Sequence, residues 1–240
     1  MNCPDAPYSQ HGTISASGDQ LSANGVRVNL NSGVHIPRPG FVYTGDPWVT
    51  GTFQLSGGGG GLMVYAPSSD LGDSSGNGLY IRANSVHAAI GNRVRVIANT
   101  TIGAISGGGG AILAKATNIS KVLGANGVCV VADVIGSIES SNDLNVVKKT
   151  TGGRVAVGSI TGSNRIILND VDVGSISADT NISFLRNVTV GGNVDLRGSA
   201  GTEFHNVLIN GNLIISALFI SQPGRFIQDN VVVTGTTTVM

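Results

Sequence analysis

At 240 residues and 41% hydrophobic side chains, the chain holds enough apolar material for a sizeable core, which excludes a disordered tail. Charged residues make up 12%, and Lys plus Arg balance Asp plus Glu at 14 each, so the basic footprint of a nucleic-acid binder is missing. With 36 glycines and only 5% aromatics, the interior falls to Val, Ile, Leu and Ala, which suits thin stacked β layers better than one thick centre.

The opening Met1-Asn2-Cys3-Pro4-Asp5 lacks the basic and apolar regions of a secretion signal. No apolar run approaches the ~20 residues of a membrane helix, so membrane insertion is not expected. Residues 1–60 hold five of the seven prolines and the single tryptophan, Trp48, beside Phe41 and Tyr43. Alternation in Val26-Arg27-Val28-Asn29-Leu30 reads as a strand. This stretch is expected to be an irregular N-terminal cap or attachment segment, because the open first coil of a stacked fold must be covered. Trp48, Phe41 and Tyr43 are its attachment candidates.

Glycine runs at 57–61 and 107–110 lack the Lys-Ser/Thr of a phosphate-cradling loop and read as turns. Residues 68–78 read as a polar loop leaving the body, with Asp70 and Asp73 as solvated turn acids rather than calcium ligands. Farther on, near copies appear: Ile102-Gly103-Ala104-Ile105, Ile119-Ser120-Lys121-Val122, Ile135-Gly136-Ser137-Ile138, Val157-Gly158-Ser159-Ile160 and Val173-Gly174-Ser175-Ile176. Cys129, within Val128-Cys129-Val130-Val131, reads as a small buried hydrophobe. Two cysteines so far apart make neither a disulfide framework nor a metal set, and no metal or cofactor is expected.

From 154 the repeat is plainest. Val155-Ala156-Val157, Val171-Asp172-Val173, Val188-Thr189-Val190, Val207-Leu208-Ile209 and Val231-Val232-Val233 recur, each after a polar residue and just before a glycine. Alternate strand residues share a face, so each copy sends two β-branched side chains inward. Glycine after the strand is expected to turn the corner through positive φ. A recurrence of about one coil predicts an all-β fold, a parallel β-helix (solenoid) over 61–240, most regular over 154–235. Variable coil length favours right-handed winding. Asn187, Asn206 and Asn230 would stack as a corner ladder, their amides bonding along the rod.

The sequence has no HExxH or GxSxG, and its four histidines are scattered. Asp170, Asp172, Asp195 and Glu203 are weak catalytic candidates, since glycosidases set two carboxyls ~5–9.5 Å apart. Asp170 and Asp172 would share a strand face ~6.6 Å apart, and Asp195 and Glu203 could lie on neighbouring coils. Asp170 also has a structural reading, as the residue that asparagine replaces in later copies. Near the end, Leu218, Phe219 and Phe226 suggest a closing plug or subunit contact. The outward positions Leu208 and Val232 are apolar, which calls for a cover from the tail or a neighbour.

The Asn-Val-x-Val coils and Ile-Gly-Ser-Ile copies resemble right-handed parallel β-helices of the pectate-lyase-like kind, over roughly 80–240. That group includes phage tailspikes and tail fibres, polysaccharide lyases and adhesins. The resemblance implies a homo-oligomer, with a trimer favoured, other virion or appendage proteins as partners, and binding of a cell-surface polysaccharide. It implies a virion or extracellular place. The expected function is a structural and binding component, more readily than an enzyme. The other readings are a lyase or hydrolase on this scaffold and a self-assembling adhesin or cytoskeletal solenoid.

Overall fold

Val-x-Val alternation buries its first and third residues in the first four copies, with Val155, Val157, Val171, Val173, Val188 and Val190 all at most 4% exposed, while Val231 and Val233 of the last copy are partly buried. The computed structural model describes residues 14–17, 20–23, 26–29, 41–44, 55–56 and 61–240, apart from 125, 151, 163, 180, 181, 199, 200 and 223. Within it the chain winds as a parallel β-solenoid of about eight turns. Among the described residues the helix content is one turn, Ala217–Ile220.

The copies read from the sequence lie over one another in register. Ile102 pairs with Ile119, Ile119 with Ile135, Ile135 with Val157 and Val157 with Val173. Val173 continues to Val190, and Val190 to Ile209. A second stack on the same wall runs Ile105, Val122, Ile138, Ile160, Ile176, Val194 and Leu213. These aliphatic columns are the core. Each coil seals the one above it at the strand spacing of ~4.8 Å. A second wall is built from shorter strands, including Ala111–Lys115, Gly127–Val131 and Asp143–Lys148, paired in the same parallel sense.

Three expectations need correction. The glycines after Val-x-Val do not take positive φ. That conformation belongs to the residue before the copy: Asp170 at 58°, Asn187 at 52°, Asn206 at 54° and Asn230 at 53°. Asparagine and aspartate tolerate the left-handed region because their short polar side chains bond locally. The glycines serve close approach instead. A Cβ at Gly136, Gly158, Gly174 or Gly211 would stand 2.2–2.4 Å from the carbonyl oxygen of the coil above. At these four positions an added Cβ would collide with backbone.

Residues 68–78 do not leave the body. They run inside the extended segment Gly61–Ala98, with Leu71 and Ser74 buried. Asp70 accepts from Asn84 (2.8 Å) and Ser85, and Asp73 meets His87 at 2.6 Å, so both acids are bound to the next coil. Those hydrogen bonds, Ser85 first and then Asn84, hold the Asp70 carboxyl below the usual carboxylate range. Cys129 is not a buried hydrophobe: it faces outward, half-buried, between buried Val128 and Val130, and is not a free thiol.

Ile14–Ser17, Gln20–Ala23 and Val26–Asn29 form an antiparallel three-stranded sheet. Phe41–Thr44, which carries Phe41 and Tyr43, pairs in parallel with Leu62, Met63, Val64 and Tyr65 of the solenoid. Trp48 lies outside the described residues.

Candidate functional site

The corner before each Val-x-Val copy concentrates side-chain hydrogen bonding. Asn187 Nδ2 donates to Asp170 Oδ1 at 3.0 Å, Asn206 Nδ2 to Asn187 Oδ1 at 3.1 Å, and Asn230 Nδ2 to Asn206 Oδ1 at 2.8 Å. Asn169 Nδ2 donates to the other oxygen of Asp170 at 2.8 Å. Asp170 is therefore the head of the column, its carboxylate accepting from two amides. A substitution pair separates the column's two roles. Asn206→Ala loses the amide and strains a left-handed φ, and should cost about 1–3 kcal/mol. Asn206→Gly loses only the amide and should cost roughly 0.5–1.5 kcal/mol. Urea unfolding of the two variants checks this; equal losses would show that backbone strain plays no part.

Arg154 sits one coil above the column and clamps three coils. Its Nε donates to Asp172 Oδ1 (2.8 Å) and its Nη1 to Asn187 O (2.7 Å). Its Nη2 donates to Val171 O (2.9 Å) and Thr189 Oγ1 (3.1 Å). The Arg154 hydrogen bond holds the Asp172 carboxyl below the usual carboxylate range, partly opposed by burial and aided by Thr189. A depressed folded value adds stability that is present above the unfolded pKa of about 3.8 and fades as pH falls through the lower folded value. Acid unfolding from pH 5 to 2 should therefore be shallower in Asp172→Asn than in the parent. Identical profiles would refute the pair's contribution.

The remaining acids are not gathered into a dyad. Asp195 is gripped by Arg197, whose Nε and Nη2 reach it at 2.9 and 2.7 Å and whose own pKa is raised by that bond. Its strand neighbours are Ser177 and Ile214. Glu203 stands on the other wall, between Phe184 and Ile227. Asp195 and Glu203, read as acids that could lie on neighbouring coils, are on different walls. Glu203 lies 3.6 Å from His205 Nε2, and Asp229 lies 3.5 Å from Nδ1, while the ring rests 5.7 Å from Phe184. Among the described residues no cluster of three or more metal-capable side chains forms.

Hollows open on the rod among the described residues. One, about 280 Å³, is lined by Thr161, Ser177, Asp179, Asp195 and Arg197. Another, about 440 Å³, lies beside the corner in the upper coils and is lined by Arg82, Asn99, Lys115, Thr117 and Thr150 over a floor of Ile97, Ala98 and Ala116. Sequence reading passed over this second group and over Arg154. The hollow's signal was present: residues 80–150 carry seven of the 14 cations against three acids, an imbalance hidden by the chain's overall neutrality.

At the far end, Phe226 packs edge-on against buried Phe204, centroids 5.7 Å apart, and so closes the core. Leu218 is half exposed on the short helix, and the side chain of Phe219 lies outside the described set. Val232 and Met240 are each more than half exposed, and Leu208 more than a third. No protein-family model matches the chain, and neither a curated protein nor a solved structure matches it.

Proposed function

We propose that the chain is a rigid rod of a phage virion or surface appendage, a spike, fibre or decoration component that recognises a host-surface glycan or a neighbouring subunit. The observation that carries this reading is how the acids are used. Asp172 is held by Arg154, Asp195 by Arg197, and Asp170 heads the amide column, so the carboxylates brace coils instead of facing each other across a substrate. Right-handed winding accords with the strong rule for crossovers between parallel strands of one sheet. A neutral chain with Val232, Val239 and Met240 exposed at the last coil has reason to associate, and a homotrimer is the expected form.

The test has two arms. Purified chain should bind host capsule or O-antigen in a pull-down without releasing oligosaccharide, and light scattering should report a discrete oligomer. Released oligosaccharide would favour the lyase or hydrolase reading, and open-ended filaments the adhesin or cytoskeletal one.

A further inference from the structure

The 280 Å³ hollow draws its lining from the ends of three successive coils. Thr161 pairs with Ser177 and Ser177 with Asp195, so the three stand over one another at the strand spacing of ~4.8 Å. Period two turns Thr161 and Ser177 outward and leaves Gly162 and Ala178 as their small buried neighbours. The register runs on past the strand ends: Asp179 N donates to Gly162 O, and Arg197 N to Ala178 O. Asp179 and Arg197 are therefore side by side on adjacent coils, and the Asp179 charge acts on Arg197.

The hydrogen bonds separate this hollow from the 440 Å³ one, where Arg82 and Lys115 have partners and Thr117 and Thr150 already donate. Here Asp195 is committed to Arg197, accepting from Nε at 2.9 and 3.1 Å and from Nη2 at 2.7 Å. Arg197 keeps both Nη1 protons and one on Nη2 for a ligand. Among the described residues nothing donates to the Asp179 carboxylate, and the Thr161 and Ser177 hydroxyls make no hydrogen bond.

Those uncommitted groups decide the ligand. An anion would meet Arg197 but also the bare Asp179 carboxylate. An amine would meet Asp179 and face the Arg197 guanidinium. A metal ion would find one uncommitted carboxylate, and no cluster of three or more metal-capable side chains forms among the described residues. An apolar group would strip water from a carboxylate and a guanidinium and put nothing in its place. Neighbouring hydroxyls of a sugar ring escape each objection, because each both donates and accepts. Two of them can donate to the Asp179 oxygens and accept from Arg197 Nη1, while Thr161 and Ser177 meet the next along the ring. The volume lies just under the ~300–1,000 Å³ of drug-sized sites, which suits a single ring.

We infer that this hollow binds one uncharged sugar residue of a surface glycan, with two adjacent ring hydroxyls held between Asp179 and Arg197 and a third on Thr161 and Ser177. The inference rests on the glycan-binding reading above and deepens it by naming the sugar class and the place.

The experiment is a saturation-transfer NMR titration of the full chain with neutral hexose, deoxyhexose and N-acetylhexosamine oligosaccharides, beside their uronate and O-methylated counterparts. At least one neutral oligosaccharide should bind, with its uronate and O-methylated counterparts each at least tenfold weaker. Salt should change the affinity little, since the ligand carries no charge to screen. Asp179→Asn, at an exposed side chain with no hydrogen bond to lose, should cost about tenfold in affinity and keep the parent's melting temperature. Ser177→Ala should cost about threefold. Asp229→Asn removes an exposed carboxylate from the wall that carries Glu203, and should bind as the parent does. Tighter binding of the uronate counterpart, or full affinity in folded Asp179→Asn and Ser177→Ala, would overturn the inference while leaving glycan binding intact. Failure of every saccharide to bind would remove both.

Discussion

Phe204→Ala is expected to lower the unfolding free energy by about 3–5 kcal/mol, the cost of truncating a large buried aromatic and leaving a cavity. Phe204 is fully buried and is the largest side chain in the core. It also carries the edge-on contact with Phe226, so the loss should not be shared evenly along the rod. In a solenoid each coil is stabilised chiefly by its immediate neighbours. Among the described residues Phe226–Val233 and Thr237–Val239 pair on one side, with the coil above them, so they should lose hydrogen-exchange protection at lower denaturant than residues 102–178. Denaturant unfolding gives the total, and hydrogen exchange gives its distribution. A uniform loss of protection would contradict the coil-by-coil account.

The second large effect comes from adding one methyl group. Gly174→Ala would place a Cβ 2.2 Å from Gly158 O, and the obstacle is backbone, which cannot rotate away. Overpacking of this kind typically costs about 1–3 kcal/mol, and a backbone clash in mid-rod belongs at the upper end or above it. Gly191→Ala is the matched control. Its Cβ would meet nothing closer than 3.8 Å, ordinary van der Waals contact, so the change should stay within about 0.5 kcal/mol. Equal unfolding midpoints for the two variants would sink the close-approach explanation of the glycine column.

Strand spacing, the inward pairs and the order of the copies were legible because side-chain period two and coil period are one-dimensional properties. Any residue that must face inward in one coil must do so in the next. The same reasoning put the asparagines at equivalent positions, because equivalent positions stack in a solenoid. It misread what turns the corner. Glycine and asparagine both accept positive φ, and the sequence does not say which of two neighbours adopts it; the packing of carbonyls against the glycines decides.

The candidate sites were less legible, since they depend on contacts between coils. Asp170 and Asp172 looked like a pair along one strand, and the left-handed turn at Asp170 with Arg154 from the coil above gives each carboxylate a different partner. Asp195 and Glu203, eight positions apart, fall on separate walls because the chain turns between them. Residues 68–78 look like a solvent loop by composition, yet they lie in register with coils whose side chains bind their acids.

By itself, then, the sequence determined a parallel all-β stack with aliphatic columns inside and polar residues at one corner, because periodicity and burial follow from local chemistry. Tertiary structure decided which polar groups meet: the Arg154 clamp, the separation of the acids, and the hollow that draws Arg82, Lys115, Thr117 and Thr150 together. Those meetings depend on which residues of neighbouring coils come into register, and that register holds although the coils differ in length.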